Sequence, residues 1–193
     1  MNATIAHPSP AAAHRTGAIA PAAAEISASA SQLWGHRLLG VVRILLGFTF
    51  LWAFLDKMLG LGFSTPAERS VLHGGSPTTG YLGGSIESGN PFAGVWEALI
   101  AINPVTDVLF LAGLLGIGLA LLLGIGMRIA TVSGAAMYLF MYLASFPMTT
   151  NPLYDDHLVM AVLLGAMLLL GAGDHLGFGR PWARLVRGNR VLV

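Results

Sequence analysis

Residues 105–146 read VTDVLFLAGLLGIGLALLLGIGMRIATVSGAAMYLFMYLASF, and they are the most informative segment for the architecture of the protein. A helix that crosses a membrane needs about 20 largely apolar residues. Two such runs are present, 105–125 and 129–146. The residues between them, Gly124-Ile125-Gly126-Met127-Arg128, leave room only for a tight turn. The stretch therefore predicts two antiparallel neighbouring helices that span a membrane.

The composition of the whole chain agrees with a membrane location. Of its 193 residues 55% are hydrophobic and only 10% are charged, against roughly 25% charged in a soluble domain. Much of the apolar surface must therefore face lipid. The absence of cysteine excludes disulfides, cysteine nucleophiles and cysteine-ligated iron–sulfur clusters. A net charge of +1 with no basic run outside the tail excludes nucleic acid as an expected partner.

Two further apolar stretches, one on each side of the hairpin, complete the predicted fold, which is an all-α integral membrane four-helix bundle. The predicted spans are residues 38–57, 104–125, 128–147 and 156–174. Ala112, Gly116, Ala120 and Gly124 recur every four residues and are predicted to let the helices approach closely.

Three regions are predicted along the chain. Residues 1–33 are rich in Ala, Pro and Ser and are expected to be disordered. Residues 34–183 form the membrane domain, and residues 184–193 form a basic tail.

The positions of lysine and arginine predict the orientation of the bundle, because short loops rich in these residues stay in the cytoplasm. Four spans place both termini on one side of the membrane. Seven arginines lie on that side: Arg15, Arg37, Arg128, Arg180, Arg184, Arg187 and Arg190. Only Lys57 and Arg69 lie on the other. Both termini are therefore expected in the cytoplasm, in a multi-pass protein of the inner (plasma) membrane.

Residues 58–103 form a long outer loop that is expected to be ordered or functional. Apolar residues recur there at helical spacing: Phe92, Val95, Trp96, Leu99 and Ile100. This pattern predicts a short amphipathic helix that lies on the membrane surface. In the alternative, these residues extend the second span and Pro104 kinks it.

Arg43 lies about 9 Å inside the first span from its cytoplasmic end. A charge at that depth is costly unless it is paired, which points to a polar site inside the bundle. Asp174 is the cytoplasmic-side acid nearest a span, so an Arg43–Asp174 ion pair is predicted. In the alternative, Arg43 only reaches toward the lipid headgroups.

Polar residues also meet at the outer ends of the spans, where they are predicted to converge at one depth. They are Asp56, Lys57, Asp107, Asp155, Asp156 and His157, with Tyr138, Tyr142, Tyr154 and Trp52 nearby. Quinones are bound in such places, because a histidine or an acid can exchange a proton with the carbonyl oxygen. Ordinary helix capping competes with this interpretation and is favoured for the two aspartates of the fourth span. No haem is expected.

Several of these motifs, in this order, resemble the DoxX/DoxD family of small membrane proteins. They are Gly47-Phe-Thr-Phe-Leu-Trp-Ala-Phe-Leu-Asp-Lys57 after Arg43, Ser76-Pro77-Thr-Thr-Gly80-Tyr81-Leu82, the Gly124-x-x-x-Arg128 turn, Asn151-Pro152-x-x-Asp-Asp-His157 and Gly177-Phe-Gly-Arg-Pro-Trp182. The resemblance covers about residues 36–183 and implies a four-helix membrane protein. It also implies a subunit of a redox complex similar to thiosulfate:quinone oxidoreductase.

A quinone-interacting subunit would use Arg43 and His157 as catalytic groups. Asp56, Lys57, Asp107 and Tyr142 would bind the quinone. The alternative function is a non-catalytic membrane anchor or assembly partner of an oxidoreductase complex. A small transporter is less favoured, because no inverted repeat is visible. Either of the first two functions implies a protein partner or a homo-oligomer.

Overall fold

The computed structural model describes residues 13–149, 151–187, 189 and 191–192, with side chains from residue 30 onward. These residues form helices and turns and contain no strand. The all-α prediction is therefore confirmed. The helices are α1 (Ala13–Leu59), α2 (Pro77–Glu87), α3 (Ala93–Ala101), α4 (Val105–Leu123), α5 (Met127–Ala144), α6 (Asp156–Leu169) and α7 (Gly179–Leu185).

Among the described residues, three helical segments are long and apolar enough to cross a membrane. They are Ala30–Leu59 within α1, α4 and α5. Helix α6 is apolar but has only 14 residues, or about 21 Å at 1.5 Å per residue. The predicted span 156–174 is therefore not one continuous helix. It ends at Leu169 and is followed by a single 3-10 turn at Ala172–Asp174.

The start of α1 differs from the prediction of a disordered tail over residues 1–33. Residues 1–12 lie outside the described residues, whereas α1 begins at Ala13. Alanine has the highest intrinsic helix propensity, and α1 contains an alanine-rich stretch before its apolar part. The alanine content of this region is therefore compatible with helix.

The chain forms two compact units that divide within α1, Met1–Leu38 and Leu39–Val193. In the second unit, side chains of α1, α4, α5 and α6 build one hydrophobic core. Its most deeply buried members include Leu121, Leu164 and Met167, each with no exposed surface. The tight turn predicted between α4 and α5 is confirmed, since α4 ends at Leu123 and α5 begins at Met127.

Two glycines bring α1 and α4 into backbone contact. A Cβ at Gly47 would lie 2.7 Å from the Leu122 amide nitrogen, and a Cβ at Gly118 would lie 2.8 Å from the Leu51 amide nitrogen. The prediction that a stripe of small residues lets the helices approach closely is wrong for Ala112 and Gly116, because both are exposed. Close helix contact therefore depends on a glycine from each helix.

Helices α2 and α3 belong to the predicted outer loop and pack against the end of α5. Trp96 is only 2% exposed, and it joins Leu82 of α2 and Ala144 of α5 in a second core cluster. The bounds of α3 show that it is a helix separate from α4. Its apolar stripe is divided: Leu99 and Ile100 also pack in this cluster, whereas Phe92 and Val95 are 39% and 49% exposed. The expected position on the membrane surface therefore stays a prediction.

The antiparallel order of α4, α5 and α6 gives the second unit two ends. The Arg43 end contains the last turn of α4, the first turn of α5 and the last turn of α6. The His157 end contains the last turn of α5 and the first turn of α6.

Candidate functional site

The candidate site lies at the His157 end, where Asp155 begins α6. One carboxylate oxygen of Asp155 accepts a hydrogen bond from the Leu158 amide at 3.3 Å. Its other oxygen lies 2.6 Å from Nδ1 of His157. The predicted capping role of Asp155 is therefore confirmed, and the same side chain also orients the imidazole.

Aromatic side chains from α5 lie beside this pair. The Tyr138 ring is 6.0 Å from the imidazole of His157 and 4.9 Å from the ring of Phe50. Tyr142 donates a hydrogen bond from its hydroxyl to the carbonyl oxygen of Leu153, at 3.0 Å, in the loop that leads to α6. The His157 side chain is 21% exposed, so a molecule outside the bundle can reach it.

A third element, α2, contributes Tyr81 to this end. The hydroxyls of Tyr81 and Ser145 donate to one carbonyl oxygen, that of Met141, at 3.3 and 2.9 Å. The sequence analysis placed neither residue in the site. Tyr81 reaches it only through a contact between residues 60 positions apart, which no local pattern indicates.

The protonation of the site follows from its contacts. Burial raises the pKa of the Asp155 carboxyl, but the hydrogen bonds from His157 and the Leu158 amide help to outweigh burial, and the pKa lies below its ordinary value. Burial raises the pKa of the Tyr81 phenol, and the charges of Asp155 and Asp156 raise it further. An ionised Asp155 only accepts hydrogen bonds, so Nδ1 of His157 carries a proton and donates it.

The ligand atoms of Asp155, Asp156 and His157 lie within 4.8 Å of one another, a spacing that a metal ion could bridge. In this structure both Asp155 oxygens already accept hydrogen bonds, from the Leu158 amide and from the imidazole. The arrangement is therefore explained as a cap and a carboxylate–histidine pair.

Arg43 lies at the opposite end of the second unit and is fully buried. Its Nη1 donates to the carbonyls of Leu121 and Leu122 in the last turn of α4, and its Nη2 donates to those of His175 and Leu176. The predicted ion pair with Asp174 is wrong, since no carboxylate of the described residues lies within 4.0 Å of Arg43. The final carbonyls of a helix lack partners and carry partial negative charge, which is what this guanidinium satisfies.

Arg43 and His157 are therefore far apart. The length of α6, about 21 Å, separates the carbonyls that Arg43 contacts from the first turn of α6. The two residues predicted to be catalytic cannot act on one quinone headgroup.

The predicted binding residues Asp56 and Lys57 lie in the last turn of α1. Asp56 is 1% exposed. Its carboxylate accepts hydrogen bonds from the amides of Phe63 and Ser64 at 3.2 and 3.0 Å and from the Ser64 hydroxyl at 2.7 Å. Asp56 therefore secures the loop that follows α1, and Lys57 is partly buried beside it.

Asp107 has an equivalent role at the start of α4. One of its oxygens accepts from the amide and the hydroxyl of Thr78, at 3.0 and 2.6 Å, in the first turn of α2. Asp56 thus binds the loop that follows α1, and Asp107 binds the first turn of α2. Of the predicted polar groups, the structure brings together His157, Asp155 and Tyr138, whereas Tyr142 binds the loop that leads to α6.

A further buried polar residue, Asn90, was missed by sequence reasoning. Its amide nitrogen donates to the carbonyls of Leu143, Ala144 and Phe146, and the Ser85 hydroxyl also donates to Ala144. These partners are more than 50 residues away in the chain, so no local pattern could have indicated them.

Comparisons with family models, with curated proteins and with solved structures give no match for this chain.

Proposed function

We propose that α1, α4, α5 and α6 form a four-helix membrane domain with both termini in the cytoplasm, in the inner (plasma) membrane. Three of these helices are long enough to span, and α6 shares their core through Leu164 and Met167. Helix α6 with the turn after it would make the fourth crossing. The arginine-rich Arg43 end would then face the cytoplasm, as the positive-inside rule favours.

Within that domain, the chain would act as a quinone-interacting membrane subunit of a redox complex. The observation that carries this proposal is the carboxylate–histidine pair of Asp155 and His157, only partly exposed and flanked by Tyr138. A histidine whose Nδ1 is held by a carboxylate offers Nε2 for proton exchange with a ligand. The resemblance to the DoxX/DoxD family points to the same ligand class.

The chain's own part in this chemistry would be to bind and orient the quinone and to move a proton at His157. Asp155 fixes the orientation of the ring and holds the proton on Nδ1. Tyr138 supplies an aromatic surface for the headgroup. The electrons for reduction of the quinone would come from a protein partner, and His157 would pass on the protons that accompany them.

Binding of ubiquinone-1 and of a short-chain menaquinone to the purified full-length protein in mild detergent tests this proposal. His157→Ala should weaken binding about 10- to 100-fold, the range expected for loss of one hydrogen bond to a charged group. His73→Ala, which removes an exposed histidine outside the cluster, is the matched control and should bind normally. Equal binding by wild type and His157→Ala would refute the assignment.

A non-catalytic anchor or assembly partner is the second candidate function. The observation that favours it is that Arg43, Asp56 and Asp107 all form hydrogen bonds with backbone groups of the chain itself. Mass spectrometry of the protein purified in mild detergent separates the two functions. A stoichiometric protein partner without bound quinone would support the anchor, whereas bound quinone would support the redox subunit.

A further inference from the structure

Helix α7 is fixed to the Arg43 end of the second unit by its inward face. A Cβ at Gly179 would lie 2.5 Å from the Gly173 carbonyl oxygen, so the two backbones are in direct contact. The amide of Phe178 donates to the carbonyl of Leu123 at 2.8 Å. Trp182 lines a cavity of about 130 Å³ next to Met127. The orientation of α7 about its own axis is therefore set by packing.

The outward side of α7 is divided into an apolar face and a basic face. Phe178 and Leu185 are 61% and 75% exposed, and exposed Pro181 lies between them at helical spacing. Exposed Arg180 and Arg184 lie one turn apart. At 3.6 residues per turn, the two faces are centred roughly a third of a turn from each other.

Charge and position identify what this surface meets. Residues 175–193 contain four arginines and no aspartate or glutamate. At the end of α6, Leu169 and Leu170 are also exposed, 87% and 59%, so the Arg43 end presents apolar side chains from α6 as well as from α7. A helix with adjoining apolar and arginine faces is suited to the boundary between acyl chains and phosphate headgroups.

We propose that α7 is an interfacial helix that binds anionic phospholipids at the Arg43 end. Phe178, Pro181 and Leu185 enter the acyl region, while Arg180, Arg184 and the following Arg187 bind headgroup phosphates. This inference depends on the membrane location of the protein and is independent of quinone binding.

Native mass spectrometry of the full-length protein in detergent, titrated with phosphatidylglycerol or phosphatidylcholine, tests the proposal. The wild type should prefer phosphatidylglycerol. R184Q should lower that preference about five-fold, because each arginine near an anionic surface contributes about that factor, and R180Q/R184Q/R187Q should lower it further. R69Q removes an exposed arginine outside α7 and is the matched control.

Two results would overturn the proposal. One is an unchanged preference in both R184Q and the triple variant; if a co-purifying protein is lost at the same time, α7 is a protein docking site. The other is an equal loss of preference in R69Q.

A second measurement does not depend on the arginines. The chain has no cysteine, so Leu185→Cys can carry a single spin label in the otherwise unaltered protein. In bilayers of phosphatidylglycerol and phosphatidylcholine, the label should be more accessible to oxygen than to a water-soluble nickel reagent. The reverse order would place α7 in water and refute the proposal.

Discussion

Replacement of Arg43 by methionine should destabilise the protein strongly. The guanidinium donates to four carbonyls, those of Leu121, Leu122, His175 and Leu176. A buried polar group left without a partner costs about 1–3 kcal/mol. Methionine retains much of the apolar stem, and loss of the charge removes its desolvation cost, which offsets part of the penalty. We expect the free energy of unfolding to fall by about 3–5 kcal/mol.

Reversible unfolding of the purified protein in mixed micelles, followed by circular dichroism, measures this loss. Arg37→Met is the matched control on the same helix. Arg37 is exposed and lies 5.2 Å from the ring of Trp34, so its loss should cost less than about 1 kcal/mol. If Arg43→Met also cost less than about 1 kcal/mol, the capping role assigned to the guanidinium would be refuted.

Three further predictions concern helix contact, acid stability and the end of α5. Gly118→Val should destabilise by more than about 2 kcal/mol because its Cβ meets the Leu51 backbone, whereas Gly116→Ala, in open space, should be neutral or stabilising by thermal unfolding. The lowered pKa of Asp155 stabilises the folded protein fully above the ordinary carboxyl pKa of 3.8, and this stability is lost as pH falls through the pKa of the folded state. Asp155→Asn should therefore flatten the acid limb of a stability–pH profile, and an unchanged limb would contradict this prediction. Asn90→Ala should cost about 2–4 kcal/mol in denaturant titration, since it removes the donor to three carbonyls, and a cost near zero would show that water replaces the amide.

The parts of the fold that could be predicted are those set by local sequence. Helices α4 and α5 were predicted at 104–125 and 128–147 and are observed at Val105–Leu123 and Met127–Ala144, because long apolar runs and the glycines between them determine their bounds. The cap formed by Asp155 was likewise local, since its partner is three residues away.

The parts that could not be predicted depend on contacts between distant residues. Sequence suggested a carboxylate partner for Arg43, but the chain satisfies the guanidinium with main-chain oxygens, which every residue carries and no pattern marks. The stripe of Trp96 and Leu99 correctly indicated a helix, yet periodicity does not distinguish a protein neighbour from lipid. The polar groups expected to converge at one depth include Asp56 and Asp107, but these two make separate contacts with different segments.

The contacts of Asp56 and Asp107 have a consequence for how the outer segment behaves when its chain is cut. The amides of Phe63, Ser64 and Thr78 are bound by these carboxylates and should exchange with deuterium slowly, although none lies in a helix interior. Limited proteolysis between Ser64 and Thr78 should accordingly leave both new chain ends ordered, because Asp56 binds Ser64 in one fragment and Asp107 binds Thr78 in the other. The outer segment, residues 60–104, is thus attached at two places, and a single cut between them leaves both attachments in place.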